Sequence, residues 1–191
     1  MLAAMPPAAL PAAEAEPRGA WAVVWACFTA LAVIFGVAYS FAALFDPLQQ
    51  QFAATRADVS WVFGVSGLIY FVLGAGAGLA ADRFGPRMVT SAGMVCIAAG
   101  LLAASFAGSL TGVVMAYGVG VGVGIGLVYT PSIACVQPWF THRRGMAAGL
   151  ASAGIGAGTL AVPLLVAALI GPLDWRTTLR VLAAGGLLLG L

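Results

Sequence analysis

Long apolar runs, separated only by short polar stretches, constrain this chain more than any other feature. Several of them approach the ~20 residues that an α-helix needs to cross the hydrocarbon of a bilayer. With 62% hydrophobic and 7% charged residues among 191, the chain lacks the polar surface that a water-soluble domain presents. Inside hydrocarbon every backbone N–H and C=O must be paired internally, which leaves helices or a closed barrel. A barrel calls for ~10-residue segments of alternating polarity, and the sequence has none. The chain is read as an all-α, multi-pass membrane protein with the lipid bilayer as its first partner.

Polar residues and turn formers divide it. Residues 1–18, rich in Ala and Pro with Glu14 and Glu16, are expected as a disordered tail and carry no signal-peptide pattern. Residues 19–191 are expected as a six-span bundle, with spans at about 21–45, 60–81, 88–106, 110–136, 145–170 and 176–191. Asp46-Pro47 ends the first span, and Gln49, Gln50, Gln51, Arg56 and Asp58 keep the next stretch out of the hydrocarbon. Only eleven residues follow Arg180, so the sixth span is expected to be incomplete and the chain to be a fragment.

All eight basic residues are arginine. Arg18, Arg83, Arg87, Arg143 and Arg144 fall on one side, and Arg56, Arg176 and Arg180 on the other with Asp46, Asp58 and Asp174. Basic loops stay inside, so the amino terminus and the loops at 82–87 and 140–145 are expected in the cytoplasm. Arginine without lysine, with abundant Ala and Gly, suggests a GC-rich bacterial genome and hence a bacterial inner membrane. A net charge of +2 with no basic stripe gives no reason to expect a nucleic-acid partner. Cys27, Cys96 and Cys135 lie in separate apolar runs without a Cys-x-x-Cys. That pattern argues against a disulfide framework or a metal site, so they are expected as small buried packing residues. His142, beside two arginines, reads as a solvated loop residue. No catalytic constellation is visible, and neither an enzyme nor a cofactor is expected.

Between the second and third runs stands Gly78-Leu-Ala-Ala-Asp82-Arg83-Phe-Gly85-Pro-Arg87. An acid and two arginines within six residues are conspicuous in so apolar a chain, and Gly85-Pro86 forces a tight turn. The pattern Gly-x-x-x-Asp-Arg-x-Gly-x-Arg resembles the signature loop between the second and third spans of major facilitator superfamily transporters. A second stretch runs from Gln137-Pro-Trp-Phe140 through Arg143-Arg144 to Gly149, Gly154 and Gly158. It resembles the segment opening the fifth span in the monocarboxylate-transporter and oxalate/formate-antiporter branch, and a bacterial member fits better than an animal one. There Trp139 and Phe140 are expected to anchor at the interface, with Arg143 and Arg144 meeting lipid phosphates or a neighbouring loop.

The resemblance implies the amino-terminal six-helix bundle of a twelve-span fold, built from two inverted three-helix repeats. It implies secondary active transport of a small organic anion, a monocarboxylate or dicarboxylate, by alternating access. It also implies a carboxy-terminal half as the missing partner and a conformational, gating role for Gly78, Asp82, Arg83, Gly85 and Arg87. Two alternatives stay open: a truncated or partner membrane subunit that does not transport, and a facilitator of an unrelated solute.

Within the spans, candidate substrate contacts are hydroxylic and aromatic. Tyr39, Tyr70 and Tyr129 carry an apolar body and a polar tip, which suits a cavity wall and equally suits hydrogen bonds between helices. The fourth span alternates Gly118, Gly120, Gly122, Gly124 and Gly126. On a helix, Gly118, Gly122 and Gly126 share one smooth face and Gly120 and Gly124 another, both with the small-xxx-small spacing of close helix packing. Gly149, Gly154 and Gly158 are expected to act likewise in the fifth span.

Overall fold

The computed structural model describes residues 17 and 19–190. The expected tail and the placement of Arg18 therefore lie outside the described residues. Helix α1 (Ala20–Ser40) passes through a 3-10 turn (Phe41–Leu44) into α2 (Phe45–Phe52). The first helix thus runs on past Asp46-Pro47, where the sequence suggested a stop. The reason is local: Pro47 falls in the first turn of α2, where its missing N–H has no partner to lose. Ala53, left-handed at φ 48°, ends the segment.

Thr55 and Asp58 then start α3 (Arg56–Phe84) with reciprocal side-chain caps on each other's backbone amides, which satisfies two otherwise orphaned donors. Gly85, at φ +87°, is the last cap of α3 and the first of α4 (Pro86–Ser105). Only glycine adopts that conformation without strain, and Pro86 suits the first helical position. After Ser109 come the single turn α5 (Leu110–Val113), a π-helical stretch (Val114–Val119) and α6 (Gly120–Ala134). A 3-10 turn (Gln137–Trp139) leads to α7 (Arg144–Ile170), and α8 (Trp175–Gly190) closes the described chain.

Among the described residues, five helical segments are long and apolar enough to cross a membrane: Ala20–Phe52, Arg56–Phe84, Pro86–Ser105, Leu110–Trp139 and Arg144–Ile170. The sixteen residues of α8 reach only about 24 Å at 1.5 Å per residue.

Numbering these six helical segments in chain order, the first packs against the fifth, the fourth against the second, and the third against the sixth. Exchanging segments one to three with four to six interchanges the first two of those pairings and maps the third onto itself. The third segment also packs extensively against the fourth, where the two halves of the chain meet. The main core forms where α1, α4, α6 and α8 meet, around Leu31, Ile34, Met94, Ile97, Leu101 and Leu179. In α3 and α7 only 17% of the most apolar stretch is buried, against 50% in the other three spanning segments. Those two helices flank the bundle and present apolar side chains outward.

Candidate functional site

Phe35, on α1, gathers the three tyrosines. Its ring lies 5.6 Å from that of Tyr129 on α6 and 6.5 Å from those of Tyr39 and of Tyr70 on α3. Tyr70 and Tyr129 meet edge to face at 5.7 Å and 87°, the arrangement favoured by the ring quadrupoles. Phe63 stands 6.3 Å from Tyr39 and Phe71 4.6 Å from Tyr70. The result is one aromatic wall drawn from three spans. Tyr39 is half exposed, Tyr70 and Tyr129 partly so. None of their three hydroxyls has a hydrogen-bond partner among the described residues. The wall is partly open to its surroundings.

The fourth tyrosine, Tyr117, is different. It is fully buried, and its hydroxyl donates to the Val37 carbonyl at 2.9 Å. That carbonyl is available because α1 tightens into its 3-10 turn there, with the Phe41 amide reaching Ala38 instead. Ser40 Oγ also donates to Val37, at 2.7 Å. Tyr117 is structural. Phe35, the centre of the wall, had no polar atom to draw notice in the sequence.

Glycines set how closely the wall's helices approach. A Cβ on Gly118, Gly122 or Gly126 would press on α3, at Val65, on the Ser66 carbonyl and on Leu73 respectively. A Cβ on Gly120 or Gly124 would press on α4, at Gly100 and on the Gly93 carbonyl. Gly154 and Gly158 face the carbonyls of Phe28 and Ala32 on α1. Gly149 does not join them: open space surrounds it. Five residues advance a helix by about 500°, so Gly149 points some 140° away from Gly154, whereas Gly158 nearly eclipses it. Gly78 faces Thr130 of α6, whose hydroxyl donates to the Gly74 carbonyl at 3.0 Å.

At the end of the bundle where α1 begins, Asp82, Arg83 and Arg87 are all exposed. Asp82 makes no ion pair among the described residues, nor does Arg87, and Arg83 lies over the Phe84 ring at 5.5 Å. The loop before α7 shares this end. Phe140, expected at the interface, is instead fully buried with Ala20, Val24, Cys27 and Ala147, edge-on to Trp21 at 5.2 Å. Its ring tucks inward because the backbone turns extended at Phe140 after the 3-10 turn. Trp139 alone stays at the surface. Arg143 caps α7, and Arg144 Nε donates to the Phe140 carbonyl at 2.6 Å.

At the opposite end, Arg176 donates to the carbonyls of Ser105 and Ala107 at 2.8 and 2.9 Å, and Arg180 to Ser105 Oγ at 3.2 Å. A cation there satisfies the last carbonyls of α4 and complements its dipole. The Thr177 amide donates to Asp174 at 2.6 Å; with Arg180 and Arg176 nearby, it holds the Asp174 carboxyl below the usual carboxylate range. No group of three or more metal-ligating side chains occurs among the described residues.

Residues 26–191 match the profile of the Major Facilitator Superfamily. Monocarboxylate transporter 13 of Bos taurus is 36% identical over 165 residues, which are 86% of this chain and 38% of that protein. Monocarboxylate transporter 6 of Mus musculus is 31% identical over 176 residues, 92% of this chain and 37% of that one. Among solved structures, the inward-open xylose transporter from E. coli superposes with a TM-score of 0.76 at 16% identity, over 89% of this chain and 46% of its own. A peptide transporter in complex with sulfate gives 0.76 at 19%, over 91% and 36%. At such identities the structural likeness speaks for the fold alone. The chain spans under two fifths of the length of these curated relatives.

Proposed function

We infer the function from kinship, because this chain belongs to the Major Facilitator Superfamily. Its helices form one six-helix bundle of that fold. We propose that the complete protein is a secondary transporter of a small organic anion, a monocarboxylate or dicarboxylate. The observation that carries this reading is the wall of Tyr39, Tyr70 and Tyr129 around Phe35, whose hydroxyls are unpartnered among the described residues. Tyrosine hydroxyls can donate to a carboxylate while the rings pack its short apolar part. The substrate class is suggested by the monocarboxylate transporters among the similar proteins.

The alternating-access mechanism needs two bundles rocking about a site near the bilayer midplane, and this chain supplies one. A second bundle is the proposed partner. An anion taken out of water needs a cationic partner to offset its desolvation. None of the seven arginines among the described residues stands at the aromatic wall: they lie in loops or near helix ends. The cation is therefore proposed to come from the second bundle, facing Tyr39 and Tyr129. We further propose that the amino terminus and the loops at 82–87 and 140–145 face the cytoplasm of a bacterial inner membrane.

Uptake of labelled lactate, formate and oxalate into proteoliposomes containing the complete protein tests the reading. Saturable uptake of one of them, weakened by Tyr129→Phe, is the expected outcome. A protein indifferent to carboxylates that moves sugars or cationic drugs would refute the substrate class and leave the fold untouched.

A further inference from the structure

Cys27 and Cys135 are 108 residues apart in sequence, yet their sulfurs lie 3.2 Å from each other. Cys27 is buried on α1, and Cys135, partly exposed, caps α6. The Cys135 thiol donates to the Ser132 carbonyl at 3.6 Å, which leaves the Cys27 thiol to donate to the Cys135 sulfur. Both cysteines line a cavity of about 570 Å³ with Thr90, Ser91, Ser132 and Arg87. Ser132 Oγ is buried there with no hydrogen-bond partner among the described residues. A cavity of that size with an unpartnered hydroxyl admits a small polar molecule. Cys96 has no second thiol beside it among the described residues.

We propose that Cys27 and Cys135 form a peroxide-responsive pair that closes into an intramolecular disulfide between the first and fourth spans. Cys135, the more accessible sulfur, attacks one oxygen of hydrogen peroxide as its thiolate. The O–O bond breaks, Cys135 becomes a sulfenic acid, and the released hydroxide takes up the thiol proton and leaves as water. The Cys27 sulfur then attacks the sulfenic sulfur. The S–S bond forms, the S–O bond breaks, and hydroxide leaves with the Cys27 proton as a second water. Two thiols and one peroxide give one disulfide and two waters, with two electrons passing from sulfur to oxygen. Disulfide sulfurs sit ~2.05 Å apart, so the pair closes by about 1.1 Å. The bond would tie α1, which carries Phe35 and Tyr39, to the helix that carries Tyr129.

The test uses the full-length protein in membrane vesicles, treated with hydrogen peroxide or with a phosphine reductant. Thiols are then labelled with N-ethylmaleimide after denaturation, and peptides are mapped by mass spectrometry. Reduced protein is expected to carry adducts on all three cysteines. Peroxide should remove those at Cys27 and Cys135, retain that at Cys96, and yield a Cys27–Cys135 linked peptide that the reductant reopens. In Cys27→Ser, oxidation should stop at a Cys135 sulfenic acid trapped by a 1,3-diketone. Full labelling of both cysteines after peroxide, a link from either one to Cys96, or direct overoxidation of both without a link would overturn the proposal.

Discussion

Tyr117 and Tyr129 show how one residue type serves two ends. The Tyr117 hydroxyl is consumed by the Val37 carbonyl inside the bundle, whereas that of Tyr129 ends at an open wall. Removing the first should cost stability, since a buried neutral hydrogen bond contributes about 0.5–1.5 kcal/mol. Ser40 still serves Val37, which keeps the loss toward the low end. Removing the second should leave stability alone and weaken substrate binding. We expect Tyr117→Phe to lower the melting temperature in detergent with little change in the substrate KM. Tyr129→Phe should raise KM several-fold with unchanged melting. Reversed behaviour of the two variants would mean that the aromatic wall is packing rather than site. Phe35 was invisible to a search for polar candidates, although it centres the wall; its contacts with Tyr70 and Tyr129 are ones that only the fold assembles.

Glycine spacing was legible at the level of elements because helix geometry is periodic. Residues four apart share a face, so the two glycine faces of the fourth span could be read directly, and each proves to abut a different helix. Gly149 fails the same rule, because five residues separate it from Gly154 and turn it about 140° round the helix. The Cys27–Cys135 approach was hidden: no local spacing encodes a contact between spans 108 residues apart. Tyr117, whose ring lies 5.2 Å from that of Phe41, links the π-helical stretch at Val114–Val119 to the 3-10 turn at Phe41–Leu44. We expect Gly124→Ala to destabilise by about 1–3 kcal/mol, the usual cost of overpacking a close contact, since its Cβ would lie 2.6 Å from the Gly93 carbonyl. Gly149→Ala, in open space, should be neutral or stabilising by up to about 1 kcal/mol through helix propensity. Paired thermal melts would check both; equal effects would contradict the packing assigned to these faces.

For the whole molecule, the loops at 82–87 and 137–144 gather at the end where α1 begins, around Arg87, Cys135 and Trp139. Arg83, Arg87, Arg143 and Arg144 thus share one end, while Arg56, Arg176 and Arg180 share the other with Asp46, Asp58 and Asp174. A phosphatase reporter fused after Gly85 should be silent and one fused after Ala53 active; activity at Gly85 would invert the orientation. Asp82 and Arg87 are exposed and make no ion pair among the described residues, and the proposed gating role would have them meet the second bundle. If they meet the second bundle in only one of the two access states, they bias the population of that state without touching substrate. A ligand or contact can shift such an equilibrium only by its differential free energy between the states, and 1.4 kcal/mol is worth about tenfold in their ratio. Asp82→Asn removes the charge and keeps the shape. In the complete protein it should slow turnover about tenfold while substrate affinity stays within a few-fold, because apparent affinity changes only through the competent fraction. Equilibrium binding and proteoliposome uptake measured on the same preparation separate the two quantities. Normal turnover with abolished binding would place Asp82 at the substrate instead of at the gate.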